Sequence, residues 1–549
     1  MTKKISFIGI IVLMQLFCVS QLLVAQSYMN SPKVVKSVSE SSKNLNLNTS
    51  KFKQALYLIA NGYLDSVNMN EITESAIKKM IGELDPHSSY ISAKDVQAVE
   101  EQLIGSFYGI GIEYAIINDT LTVQSVVAGG PSEKVGLKAG DKINSVDGEI
   151  ISNTGLTTKR VIEYLRGAKG TKVRIGYLRR GMAENHIVIT RDKIPVNTVD
   201  SAYEISDGII YLRVTRFGAE TYNEFISSLS NLTSGKFENN PNFKGLILDL
   251  RNNGGGYLSA AQRIANEFLN KGNLILYAEG RSVPRVDDYA DGSGKLQNIP
   301  LAILIDEVSA SASEIVSGAV QDWDRGVIVG RRSFGKGLVQ KLYQLVDGSR
   351  IGITIARYHT PSGRVIQTPY TQGDKESYKK NYITRLLSEE RFNKDSIKID
   401  PSLEYKTLKL GRSVYGGGGI IPDEFVPIDT TYYSAPYLMS SNTGLITEFV
   451  QTYADAHREE ILSEYPTYED FLKNYTLPQS YFDQYISRCK DQDILFSQSD
   501  LERSSAHIRW LLKGLIIRNI YGLERYIQYI NLTDKDVKRA LEILNKQNS

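Results

Sequence analysis

With 549 residues, 42% apolar and 23% charged side chains and a formal charge of +2, the chain has the composition of an ordinary soluble protein and is too long for a single core. The charge balance lacks the basic excess that nucleic-acid binding needs, which excludes that partner class. Cys18 and Cys489 are the only cysteines, too few for a disulfide framework or a cysteine zinc site.

Residues 1–25 join Lys3 and Lys4 to an apolar stretch and the small Ala25, the layout of a secretory signal peptide. The run from Ile5 to Val19 is short for a membrane span of ~20 residues. The expectation is an exported protein, periplasmic or in the cell envelope, with no membrane span after signal cleavage. Residues 26–50 are Ser/Asn-rich and weakly periodic and read as a linker. Over residues 51–101, FKQALYLIANGYLD and ITESAIKKMIGEL carry apolar residues at helical spacing, and Pro86 in LDPHSSYIS breaks the pattern. This predicts a small N-terminal helical cap.

Between residues 102 and 192 the period drops to two. Ile110, Ile112, Tyr114 and Ile116 alternate, followed by LTVQSVV, VDGEII with its Asp147-Gly148 turn, KVRIGYL and HIVIT, and the helical pieces SEKVG and TTKRVIEYLRG interrupt them. The glycines of FYGIGIE and the stretch GPSEKVGLKAGDKINSVDG make this α+β module resemble a PDZ domain. That resemblance implies capture of a peptide C-terminus by strand addition, with Gly109, Ile110 and Gly111 near its carboxylate.

Residues 193–435 read as a mixed α/β core: KGLILDL and IPLAILIDE are continuous apolar runs, as strands buried on both faces should be, and each leads into a helical pattern. Residues 436–549 alternate acidic, aromatic and basic positions at helical spacing and predict a C-terminal helical region. The expected fold class is thus multidomain α/β.

The second apolar run of the core ends in SASASEI, three serines on alternate positions before a helix. A serine hydroxyl needs a base to become a nucleophile. The five histidines, His87, His186, His359, His457 and His507, lie in different segments and none sits in a motif that marks a triad. Lys336 in SFGKGLVQ is the candidate, its flanking glycines allowing close backbone approach. An ordinary lysine is only about 0.04% neutral at pH 7, so burial must lower its pKa. GRRSFGKG puts Gly337 where a phosphate-binding loop needs Ser or Thr, and the companions of an S-x-x-K enzyme are absent. LDLRNNGGG ends a strand in consecutive glycines whose N–H groups, with those of the helix after the serines, could hold an oxyanion.

DLRNNGGG, SASASEI, the FGKG-x-V-Q element, the PDZ module, LDPHSSYIS and GGGGIIPD together resemble the carboxyl-terminal processing (tail-specific) serine protease family over residues 50–430. The resemblance implies a ClpP/crotonase-like core and a serine endopeptidase working through a Ser-Lys dyad and an acyl-enzyme, with no metal or organic cofactor. Residue by residue it implies Ser311 as nucleophile, Lys336 as general base and Gln340 as the side chain that orients the lysine. The oxyanion donors would be the N–H of Ala312 and one from the glycine loop, Gly255 before Gly254 or Gly256. Asp322 falls where a third charged partner is sometimes placed, and Ser309 and Ser313 are left to shape the turn. The expected partners are proteins with apolar C-termini, with an adaptor or self-association through the helical tail as a further possibility. The competing function is a catalytically inactive, PDZ-containing peptide-binding scaffold.

Overall fold

A computed structural model describes residues 39–179, 183–237 and 240–548; the signal-peptide segment and most of the linker lie outside them. Where the linker reading overlaps the described part, it gives way to a helix, Ser39–Gly62. Its residues 44–50 are exposed, so no apolar spacing announced the helix there. Among the described residues no helix is long and apolar enough to cross a membrane.

The continuous apolar runs form the centre of a six-stranded sheet, ordered Val199–Ser206, Ile209–Val214, Gly245–Asp249, Leu301–Ile305, Val327–Gly330, Glu424–Phe425. The first pair is antiparallel and the rest parallel. Side chains alternate between two apolar layers. Leu246, Leu248, Ile303 and Ile305 face helices Thr221–Thr233, Leu258–Phe268 and Ala312–Asp322, packing on Phe225, Ile264 and Val316. Ile247, Ala302 and Leu304 face the other way, onto Ile527, Val537, Ala540 and Leu544 of helices Leu523–Asn531 and Lys535–Asn548. Burial on both faces is why these strands read as unbroken apolar runs.

The helical C-terminal region therefore divides. Its last two helices complete the core sheet, while helices from Ala435 to Tyr521 close on a separate aromatic-rich cluster that includes Tyr468, Phe471 and Tyr485.

A second, antiparallel sheet joins Ser89–Ile91, Arg350–His359, Leu274–Gly280 and Val283–Tyr289, with Leu338–Gln344 also paired to Arg350–His359. Through Ser89–Ile91 the N-terminal cap becomes part of the core. The module resembling a PDZ domain is inserted between paired strands Ser106–Gly109 and Asp192–Pro195. Its edge strand Ile112–Ile117 lies against helix Leu445–Glu464, and Lys142 Nζ pairs with Asp455 Oδ2 at 3.0 Å.

Candidate active site

The serine turn sits where strand Leu301–Ile305 passes into helix Ala312–Asp322. Ser311 has φ 56° and ψ −111°, a positive-φ conformation outside the left-handed helical region that a non-glycine residue holds only when its surroundings enforce it. The enforcement is visible. The Asp306 carboxylate accepts the N–H groups of Val308 and Ser309 at 3.0 and 3.1 Å, and that of Asn252 at 3.0 Å. Ser309 Oγ donates to Leu250 O and Ser313 Oγ to Asn253 O, both at 2.8 Å. Two of the three hydroxyls thus fasten the turn to the glycine segment.

That segment folds against Ser311. A Cβ on Gly255, whose φ is 100°, would stand 2.8 Å from both Ser311 Cβ and Ala310 O. Only glycine fits so close an approach with that backbone angle. Ala312 N–H is the first amide of its helix and among those the helix itself leaves without a partner. The Gly255 N–H instead donates to Asn253 Oδ1 at 2.9 Å, so in this arrangement the amide expected to bind an oxyanion is engaged.

Lys336 lies in the loop between strands Val327–Gly330 and Leu338–Gln344. It is buried, and its Nζ donates to Gln340 Oε1 at 3.0 Å. Burial lowers the ammonium's pKa to about 8, against the raising influence of the Asp85 and Glu314 charges. Gln340 Nε2 donates in turn to the backbone carbonyl of His87.

The link between the serine and lysine loops is Glu314. Its Oε2 accepts Ser311 N–H at 2.7 Å and Lys336 N–H at 2.9 Å; its Oε1 accepts Gly335 N–H at 2.7 Å and Ser333 Oγ at 2.5 Å. Burial pushes this carboxyl up to about 7, opposed by the same four donors. Tyr358 adds a second tie, its hydroxyl donating to Lys336 O at 2.7 Å and to Ser311 O at 3.3 Å. Motif reading passed over Glu314, although S-x-x-E at 311–314 is a helix-capping pattern that marks it.

The cap segment 85–88 supplies another unforeseen part. Asp85 Oδ1 accepts the N–H groups of His87 and Ser88, both at 2.8 Å, and Thr354 Oγ1 at 3.1 Å. The buried His87 ring stands edge-on to Tyr378 and Phe334. Its pKa falls well below the ordinary histidine range because of burial first, then the Lys336 and Lys375 charges.

Asp322 does not join this cluster. It ends the helix that begins after Ser311, about 15 Å away at ~1.5 Å per residue. There it is fully buried against Arg364, Oδ1 to Nη2 at 2.7 Å, and it also accepts Ser362 N–H at 2.9 Å. The pattern that singled it out carried no information about which end of the helix it would occupy.

Gly109 ends strand Ser106–Gly109, opposite Asp192, and Ile110 and Gly111 form the bend that leads into strand Ile112–Ile117 of the inserted module. Ile110 is buried and its carbonyl accepts Ser132 N–H at 3.0 Å and Ser132 Oγ at 2.7 Å. The strand that follows pairs on one side with Thr120–Val126 and is the edge of its sheet.

Comparison with known families places the Peptidase family S41 match over residues 208–377 and the PDZ domain match over residues 122–179. The Activating protease CtpB N-terminal domain matches residues 10–95, and a family of unknown function matches 437–522. A carboxy-terminal-processing protease of Bartonella bacilliformis is 37% identical over 307 residues, covering 56% of this chain and 69% of that protein. A probable CtpA-like serine protease of Staphylococcus aureus is 29% identical over 423 residues, 75% of this chain and 80% of that one. Among solved structures, a photosystem II D1 C-terminal processing protease is 28% identical, covers 58% of this chain and 89% of its own, and has a TM-score of 0.33.

Proposed function

The chain belongs to peptidase family S41, the carboxy-terminal-processing serine proteases, and from that membership we propose that it cuts exported proteins chosen by their apolar C-terminal tails, using Ser311 and Lys336. The observation that carries the reading is the buried Lys336, its pKa drawn down to about 8 and its Nζ held 3.0 Å from Gln340 Oε1, an oxygen that can only accept. At pH 7 about a tenth of such an amine is neutral, some hundreds of times more than of an exposed lysine.

The neutral amine takes the Ser311 proton as Oγ attacks the scissile carbonyl. Ala312 N–H meets the developing oxyanion. A second donor from the glycine loop requires either Gly256 N–H or release of Gly255 N–H from Asn253. The lysine then gives its proton to the leaving amine, the acyl-enzyme forms, and a water deprotonated by the same lysine clears it. No step calls for a metal or organic cofactor. The PDZ domain delivers the tail, its edge strand Ile112–Ile117 receiving the peptide beside Gly109 to Gly111. Export rests on the leader of residues 1–25, and self-association or adaptor binding on the helices from Ala435 to Tyr521.

The test is cleavage of a protein bearing an apolar C-terminal tail, beside the same protein with its tail capped. Ser311→Ala and Lys336→Ala should each lower the rate by about 10³-fold or more, and the capped substrate should be spared. Retained cleavage in Ser311→Ala overturns the assignment of the nucleophile, and absence of cleavage by the wild-type protein, with the tail still bound, favours a peptide-binding scaffold. A second reading takes the imidazole of His87, buried against Phe334 of the lysine loop, as the base. That reading requires Lys336→Ala to stay active and His87→Phe to fail.

A further inference from the structure

Residues Asp534 and Asp536, at the start of helix Lys535–Asn548, lie outside every stretch matched to a known family. Both reach the catalytic end of the core sheet. Arg251, from the LDLRNNGGG stretch, has its Nε and Nη2 on the Asp249 carboxylate. Its Nη1 donates to Asp534 Oδ2 and to Asp536 Oδ2, both at 2.8 Å. The same Asp536 oxygen lies 3.4 Å from Nη1 of Arg331, whose Nε donates to Glu307 Oε1 at 3.1 Å. Arg251 stands just before the glycine loop and Arg331 opens the loop that carries Lys336.

Two like-charged guanidiniums are thus drawn together in a largely buried place, and one carboxylate oxygen lies between them. Without that oxygen Arg251 keeps Asp249 and Asp534 and Arg331 keeps Glu307, but nothing shared offsets the repulsion between the two, and each stands at the root of a loop the chemistry uses. We infer that Asp536, with Asp534 beside it, is a positioning residue for peptide hydrolysis, clamping the glycine loop to the lysine loop through Arg251 and Arg331. The inference rests on the Ser311 and Lys336 reading, and its test separates the two.

The experiment compares intact Asp536→Asn, Asp534→Asn, Asp536→Glu and Asp429→Asn proteins on the tail-bearing substrate, with kcat expressed per folded molecule from thermal melts. Asp429 holds Lys535 at 2.8 Å on the same helix start and caps its own turn at Thr431 but touches neither arginine, so its loss loosens the helix start without disturbing either guanidinium. Asp536→Asn is expected to lower kcat between about tenfold and a hundredfold with KM nearly unchanged, because misplacement by ~1 Å is enough. Asp534→Asn should cost less, Asp536→Glu should restore most of the loss, and Asp429→Asn should keep the wild-type kcat. Wild-type kcat per folded molecule in Asp536→Asn, or an equal loss in Asp429→Asn, overturns the inference. If Asp536→Asn does not fold, Asp534→Asn is judged by the same ratio. Persisting cleavage by a Ser311→Ala control would instead bring down the reading beneath it.

Discussion

Gln340 accepts a hydrogen bond from Lys336 through Oε1 at 3.0 Å while its own amide nitrogen is tied to the His87 carbonyl. That second bond fixes which end of the amide faces the lysine. An oxygen there can only accept, so Lys336 points an N–H at Gln340 in either protonation state, and the lone pair of the neutral amine faces elsewhere. With the neutral lysine as the proposed base, kcat/KM should climb about tenfold per unit from pH 6 to 7.5 and level off above about 8.5, around the pKa of about 8. Stopped assays on one tail-bearing substrate across this range read the profile. A midpoint well below the ordinary histidine range would instead indicate His87 as the base.

The lowered pKa of Lys336 also appears in stability. Folding moves it from 10.5 to about 8, so between those values the unfolded chain holds a proton that the folded chain has released, and stability rises with pH across that window. Below pH 8 the fold bears the full penalty for burying the ammonium, about 3 kcal/mol. Lys336→Met should therefore stabilise the protein at pH 7 by about 2 kcal/mol, after loss of the Gln340 hydrogen bond, and the gain should fade above pH 10. Urea melts at pH 7 and 10.5 measure it; an equal difference at both would contradict the assignment.

Glu314 gives a separable prediction. In Glu314→Gln one carboxylate oxygen becomes an NH₂ facing N–H or O–H donors, either those of Ser311 and Lys336 or those of Gly335 and Ser333. The two loops should part, and kcat should fall about tenfold to a hundredfold. The lost negative charge was raising the lysine's pKa, so the midpoint of the surviving activity should move below 8. An unchanged midpoint would show that the carboxylate does not act on the lysine.

Asp322 and Arg364 are both fully buried and paired at 2.7 Å, far from Ser311. Asp322→Ala leaves a buried guanidinium without its counter-charge and should cost about 3–5 kcal/mol of stability. The pH midpoint for cleavage should stay where it is in the wild type. Denaturant melts with a pH profile of the folded fraction distinguish this structural role from a catalytic one, which would shift the midpoint.

The candidate groups Ser311, Lys336 and Gln340 were readable in the residues themselves, because they sit in short motifs whose glycines mark tight backbone. The two parallel strands around them announced themselves by unbroken apolar runs. Other parts had no local signal. The contact between Gln340 and His87 joins positions 253 residues apart, and nothing in LDPHSSYIS says which distant side chain it will meet. Glu314 was visible as a helix cap, but its bonds to Gly335 and Lys336 depend on a loop some 20 residues on. Asp322 was misread because a helix carries residue 322 to the opposite end from 311. The spacing of KDVKRALEIL predicts an amphipathic helix and leaves open that its partner is the core sheet.

That last helix has a consequence for the birth of the enzyme. Residues 535–548 leave the ribosome after every group that does chemistry, yet Val537, Ala540 and Leu544 close the layer over Ile247 and Leu304. A half-made polypeptide therefore carries Ser311 and Lys336 on a sheet with one greasy side still bare. That layer is closed only when the late segment docks.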